Sequence, residues 1–199
     1  MRLLNKNLSL RAIFRLMKHF IQYNAVLLAF FFGIASGSDV GAAVFGGIIH
    51  ETPKKIIKAG GKPLKVIDGD SFFIGKTEIR LVGIDAPEYF QECYDAEDNP
   101  YPCGKKAKKA LEKLVSSNIR CEKITRDKYR RVVAICHNGK LNINREMVAQ
   151  GQAVAYKRYT HEFDDAEKSA RRLKKGIWQG RFLKPEFYRI LKKQKKNQK

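Results

Sequence analysis

The stretch "CEKITRDKYRRVVAIC", Cys121 to Cys136, restricts the fold more than any other part of this 199-residue chain. Two arms rich in strand-forming residues flank the polar "DKYR", which reads as a β-hairpin with a short loop. If the loop is residues 127–130, antiparallel partners have residue numbers that sum to 257, and 121 and 136 are such a pair. The two cysteines would then face each other across the ladder within bridging distance. Cys93 and Cys103 would likewise close the polar loop "CYDAEDNPYPC". Four cysteines, an even number, are compatible with two disulfides in an oxidising compartment. No CxxC pair suggests a zinc site. Four free thiols in a reducing compartment are the alternative.

Around this hairpin the pattern runs strands, helix, strands, helices. "KPLKVIDGDSFFIGKTEIRLVGID" holds three short apolar runs separated by Asp-Gly-Asp and Gly-Lys, turn signals suited to an antiparallel meander. "GKKAKKALEKLVSS" puts Ala107, Ala110, Leu111, Leu114 and Val115 on one helical stripe, with lysines opposite. "NINREMVAQG" and "FDDAEKSARRLKKG" read as two further helices closed by Gly151 and Gly176. Five strands and three helices predict an α+β domain built on a small five-stranded β-barrel of OB-fold type, where closure removes exposed edges.

The ends of the chain differ in character from this middle. Five basic and no acidic residues occupy positions 1–37, where "AVLLAFFFGIA" is followed by small residues, the parts of a secretory signal. Continued through "VGAAVFGGII", the apolar stretch from Ala25 to Ile49 is long enough to cross a bilayer. Residues 1–50 are therefore expected to be a cleaved signal peptide or an uncleaved membrane anchor, engaging export machinery or membrane, with a buried core helix as the remaining alternative. Either leaves the domain outside the cytoplasm. Residues 51–61 read as a linker, 62–180 as the globular domain and 181–199 as a basic tail. In the tail Phe187, Ile190 and Leu191 share a helical face, but "KKQKKNQK" reads as disordered. Overall, 40 Lys and Arg stand against 20 Asp and Glu, a net charge of +20 that favours polyanionic partners. A monomer is the default oligomeric state.

"RLVGIDAPEY" carries the chemistry. Strand alternation sends Ile79 and Leu81 to the core and Arg80 to the other face, on a rigid support. Gly83 permits a bend, after which come Asp85, the stiffening Pro87 and Glu88. The preceding turn offers Asp68 and Asp70. These carboxylates can converge on one oxygen-rich site suited to a hard cation such as Ca2+. Asp-Gly-Asp is also a common turn, and one Arg beside one Glu is often a surface ion pair contributing about 0–1 kcal/mol. It is their combination in register that favours a phosphate-handling site.

The segments "IDGDS", "IRLVGIDAPE", "DKYRR", "MVAQGQAVAY" and "GIW", in this order from Leu64 to Trp178, resemble the staphylococcal nuclease family, the thermonucleases. With "EC", "PCG", "RCE" and "AIC", the chain is similar to the exported bacterial branch, in which such cysteines form two bridges. The resemblance implies that Asp70 and Asp85 bind Ca2+ together with the backbone carbonyl of Ala86, with Asp68 in the outer shell. It implies that Arg80 and Arg131 hold the scissile phosphate and that Glu88 activates the attacking water. Lys128, Tyr129 and Tyr156 would surround the nucleotide, with Tyr159 competing for the role of Tyr156. The implied activity is Ca2+-dependent endonucleolytic hydrolysis of DNA, and of RNA, with low sequence specificity and a 3′-phosphate product.

One departure concerns the hairpin, where the family usually reads Tyr-Gly-Arg and this chain reads Tyr129, Arg130, Arg131. A positive φ at this point would strain a non-glycine residue, and Arg130 competes with Arg131 for the phosphate. Two rival readings stand beside the nuclease: a noncatalytic nucleic-acid-binding barrel, and a membrane-anchored adaptor that uses its basic surface on lipid headgroups. The four histidines, His19, His50, His137 and His161, lack ligand spacing.

Overall fold

The structure, a computed structural model, describes residues 54–198. The segment expected as signal or anchor lies outside these residues. Among the described residues no helix is long and apolar enough to cross a membrane.

The domain is α+β. Its main sheet follows the order β1 (Ile56–Lys58), β8 (Ile119–Arg126), β9 (Val132–Asn138), β4 (Thr77–Leu81), β3 (Ser71–Ile74), β2 (Leu64–Val66), and β10 (Leu141–Asn142) pairs with β9. The meander β2–β3–β4 is antiparallel as its turn signals predict, and β4 then joins β9 in parallel. The sheet curls into a half-barrel, and its two outer strands are neighbours in the chain, joined through Gly60 and Gly61, both at positive φ. β1 falls in the stretch expected as a linker. It pairs three residues against β8, Ile57 opposite Cys121, and so extends the ladder beyond the five strands read from the pattern.

The hairpin register is the expected one at its base, with Cys121 opposite Cys136 and the two joined by a disulfide. Toward the loop a bulge between Lys123 and Thr125 shifts the pairing, so that Thr125 faces Val133. One extra residue on one strand sharpens the local twist, which leaves Ile124 exposed and sets the angle of the loop. The second disulfide, Cys93–Cys103, joins β6 (Cys93–Tyr94) to the first residue of α1 (Cys103–Leu114), with β7 (Pro100–Tyr101) between them. There are no free cysteines among the described residues.

The three expected helices are α1, α2 (Ile143–Ala149) and α3 (Asp164–Arg172). α1 buries Ala107 and Leu111 against the sheet, with Ala110 and Leu114 at the edge of the same core, as its stripe predicts. Asn142 caps α2, its side chain accepting from the Arg145 N–H. A short ladder of β5 (Ile84–Asp85) with β11 (Val154–Ala155) sits beside the main sheet, and a 3₁₀ turn spans Gly176–Gln179. The core is continuous, from Phe72, Ile79 and Leu81 through Val132 and Ala134 to Met147 and Phe163.

The tail departs from expectation. It forms a fourth helix, α4 (Pro185–Asn197), which takes in most of the stretch read as disordered. Proline at its first position is favourable, because the missing N–H is one that a helix start leaves unpaired anyway. Phe187, Ile190 and Leu191 remain about half exposed on it.

Candidate active site

Asp70 ends the turn before β3, and Arg80 is the fourth residue of β4. The register sets Ser71 opposite Arg80, so aspartate and arginine become neighbours across the ladder. The Arg80 guanidinium donates through Nη1 to Asp70 Oδ1 and through Nη2 to Asp85 Oδ1, the latter at 3.2 Å. Asp70 also accepts from Ser71 Oγ at 3.1 Å and, on Oδ2, from the Ala86 N–H at 3.0 Å. Asp68 accepts from the Asp70 N–H at 3.0 Å, so the Asp-Gly-Asp turn folds back on itself. Gly69 between them is required by close approach: a Cβ there would lie 2.6 Å from that of Ala86 and 2.7 Å from that of Ala107.

Packing this much negative charge in a partly dry place perturbs it. Burial, and next the charge of Asp70, push the Asp68 carboxyl up to about 7. Burial also raises Asp85, with the Asp70 charge adding to it while the guanidiniums of Arg189 and Arg80 pull the other way. Arg80 is disfavoured as a cation by burial, yet Asp70 and Asp85 outweigh this and hold it above its ordinary value.

On the facing hairpin, Arg131 donates from Nε to Asp127 Oδ2 at 2.7 Å, and its backbone N–H donates to Oδ1 at 3.0 Å. Burial is the largest single influence on Asp127 and opposes its charge, but the bonds and charge of Arg131 together outweigh it and lower its pKa. Arg130 takes the left-handed conformation, φ +69°, so the loop keeps the shape a glycine would allow while carrying an arginine. That arginine side chain is exposed, and Arg131 is the one that lines the cleft.

The cleft itself, about 470 Å³, lies between β4, the Glu88 loop and the hairpin. It brings together Asp68, Arg80, Asp85, Glu88, Lys128, Tyr129, Arg131 and Tyr156 from positions 88 residues apart in the chain. Tyr159 lines it as well, its ring 5.4 Å from that of Tyr156, so both tyrosines considered for one role are at hand. Tyr129 is largely exposed, with Lys128 Nζ 5.1 Å and the Arg131 guanidinium 5.5 Å from its ring centre.

Two contributors escaped the sequence reading. Gln91 is fully buried below Glu88: its Oε1 accepts from the Glu88 N–H at 3.2 Å, and its Nε2 donates to the Leu183 carbonyl at 2.6 Å. It therefore ties the Glu88 loop to the chain entering α4. The second is Arg189, on the stretch read only as a basic tail. Its Nη1 donates to Asp85 Oδ1 and to Glu88 Oε1, each at 2.9 Å, and its Nη2 to Asp85 Oδ2 at 3.1 Å. The helical stripe in the tail was the only signal that could have pointed to it.

Among the described residues no three histidine, cysteine, aspartate or glutamate side chains are grouped closely enough to enclose a metal by themselves. The oxygen donors of Asp70 and Asp85 nevertheless fit a hard cation. Asp85 is only 2% exposed and still receives three N–H bonds from two guanidiniums, so the cluster is built to hold positive charge.

A family model described as "Staphylococcal nuclease homologue" matches residues 78–180. The chain is 36% identical over 123 residues to an "Uncharacterized endonuclease" of Haemophilus influenzae, covering 58% of this chain and 64% of that one. It is 37% identical over 120 residues to "Succinoglycan biosynthesis protein ExoI" of Rhizobium meliloti, covering 57% and 61%. Identity to the "Thermonuclease" of Staphylococcus hyicus is 32% over 130 residues, 59% of this chain and 74% of that enzyme. The first two matches thus span less than two thirds of those relatives' own length. With its half-barrel, its cleft and the matched segment agreeing, this chain belongs to the staphylococcal nuclease family.

Proposed function

We propose that this protein is a Ca2+-dependent endonuclease that hydrolyses phosphodiester bonds of DNA, and of RNA, with low sequence specificity. The observation that carries the reading is the convergence of Arg80, Asp85, Glu88 and Arg131 on one cleft edged by Lys128, Tyr129 and Tyr156, with the buried Asp70 bonded to Arg80 beside it.

Water attacking a phosphodiester concentrates negative charge on the equatorial oxygens, and fixed cationic donors aimed there stabilise the transition state more than the ground state. Arg80, fixed on β4, and Arg131, fixed through Nε by Asp127, would supply two planar forks for those oxygens. Asp70, Asp85 and the Ala86 carbonyl would hold Ca2+, with Asp68 in its outer shell. When bound, Ca2+ supplies Lewis-acid charge at the phosphate oxygens. Glu88 would orient the attacking water or take its proton, an effect of about 10²–10⁴-fold in rate. The bond to the 5′-oxygen breaks, which leaves a 3′-phosphate. Tyr129 and Tyr156 offer rings on which splayed bases stack, favouring single-stranded or frayed substrate.

Replacing either arginine by lysine tests this directly, since a point charge cannot grip two oxygens in one plane. Arg80→Lys and Arg131→Lys should each lower kcat on heat-denatured DNA by 10²-fold or more, the scale of one lost oxyanion donor, with binding far less affected. Binding without cleavage by the unmodified protein would favour the noncatalytic barrel instead.

We also infer that the chain is exported, a reading supported by its two disulfides, which persist in oxidising compartments. Fractionation of cells expressing the full chain would find it outside the cytoplasm, and a reduced, cytoplasmic protein would contradict this.

A further inference from the structure

The C-terminal helix reaches into the carboxylate cluster with one side chain. The Arg189 fork grips both oxygens of Asp85, and its Nη1 also bonds Glu88. Arg80 takes a further position on Asp85 Oδ1, so each oxygen of that buried carboxylate already serves a cationic donor. A metal ion drawing on Asp85 would have to displace at least part of this array, because guanidinium and metal use the same lone pairs.

α4 is suited to being displaced. Its entry is fixed by the buried Pro185 and by the Gln91 bond to the Leu183 carbonyl, whereas Phe187, Ile190 and Leu191 beyond it are about half exposed. Holding it down near Arg189 are an ion pair of the partly buried Glu186 with the exposed Arg158 at 2.9 Å and a long contact of Tyr188 with the Phe90 carbonyl at 3.5 Å. Neither is a strong tether, since an ion pair with one partner well exposed to solvent contributes about 0–1 kcal/mol. Releasing α4 therefore breaks chiefly the Arg189 contacts themselves.

We propose that Arg189 is a resident cation of the site, so that docking of α4 and binding of a divalent metal to Asp85 compete, and the metal lifts the helix from the cleft. The inference rests on the metal-dependent reading above and assigns it a control that the tail exerts. Linkage makes the effect reciprocal: whatever factor the docked arginine takes from metal affinity, metal takes from helix docking.

Calorimetric titration of the full-length protein with Ca2+ alone, without substrate, tests the proposal. Arg189→Gln should bind Ca2+ about tenfold more tightly than the unmodified protein, within the usual 5–150-fold span of such couplings. Lys192→Gln, which removes an exposed charge from the same helix without touching the cluster, should change affinity by less than about twofold, because exposed charges are screened by solvent and salt. In parallel, hydrogen exchange of residues 185–197 should quicken on adding Ca2+ to the unmodified protein and be fast from the outset in Arg189→Gln. Equal affinity of Arg189→Gln and the unmodified protein, weaker binding by the variant, or slower exchange of α4 with Ca2+ would overturn the competition while leaving the metal-dependent reading intact. Absence of Ca2+ binding in all three proteins would end both.

Discussion

Gly104→Ala separates what helix propensity predicts from what the packing predicts. Gly104 is the second residue of α1, and replacing a helical glycine by alanine ordinarily favours the helix by up to about 1 kcal/mol. Here a Cβ would lie 1.8 Å from the Glu88 carbonyl oxygen and 2.8 Å from that of Tyr89. Both are main-chain atoms that cannot swing aside, so the loop must retreat by more than about 1 Å to reach a permissible contact. α1 cannot give way instead, because its first residue is bridged to Cys93 and the Gly104 N–H donates to the Gln91 carbonyl at 3.2 Å. The displaced loop carries Glu88. A shift of this size at a catalytic group lowers kcat by about 10²-fold, equivalent to about 2.7 kcal/mol of barrier. KM should hold, because Arg80, Lys128 and Tyr129 stand on other elements. Steady-state cleavage of a short single-stranded oligonucleotide, with a thermal melt of the same sample, gives both numbers. A variant with undiminished kcat and a higher melting temperature would refute the packing argument.

Arg130→Gly should stabilise the fold by about 0.5–1 kcal/mol in urea denaturation, because relief of left-handed strain, about 1–2 kcal/mol, exceeds the entropy that glycine loses on folding. A less stable variant would show that the arginine makes a compensating contact. Asp127 has a lowered pKa in the folded state, so its pairing with Arg131 adds stability that is fully present above the unfolded value near 3.8 and is lost as pH falls below it, through the lower folded value. Urea midpoints followed from pH 6 to pH 2.5 should accordingly fall less steeply for Asp127→Asn than for the unmodified protein, and parallel curves would contradict this. Joint replacement of Cys121 and Cys136 by serine opens a bridge of sequence separation 15 and should lower stability by about 3 kcal/mol, against a loss below 1 kcal/mol if the ladder alone sets the hairpin.

How far the sequence discloses this molecule depends on the range of the interactions involved. The hairpin register was readable because the two cysteines and a short polar loop specify it locally, and the α1 stripe because its period is unambiguous. The orientation of Arg80 followed from strand alternation alone, and the cleft brings it to the same acidic residues that motif order had grouped. β1 was hidden, since three residues in a basic segment carry no period, and it is defined only by pairing with β8, more than sixty positions away. The two-residue ladders of β5, β6, β7, β10 and β11 lie below what alternation can signal. Gln91 carries no local signal, and its bond to the Leu183 carbonyl spans 92 positions of the chain. Arg189 is the extreme case: it meets Asp85 at a separation of 104 residues, and the stripe of Phe187, Ile190 and Leu191 marks a helix without singling out this side chain.

Incubation of heat-denatured and plasmid DNA with the full chain, in Ca2+ or in EGTA and beside Glu88→Ser, is the most direct test of the claim that this cleft hydrolyses phosphodiesters. The account predicts cleavage in Ca2+, none in EGTA, 3′-phosphate ends on the fragments and a loss of 10²-fold or more in the variant. Retention of DNA without cleavage under every condition, or cleavage indifferent to EGTA and to Glu88→Ser, would contradict it.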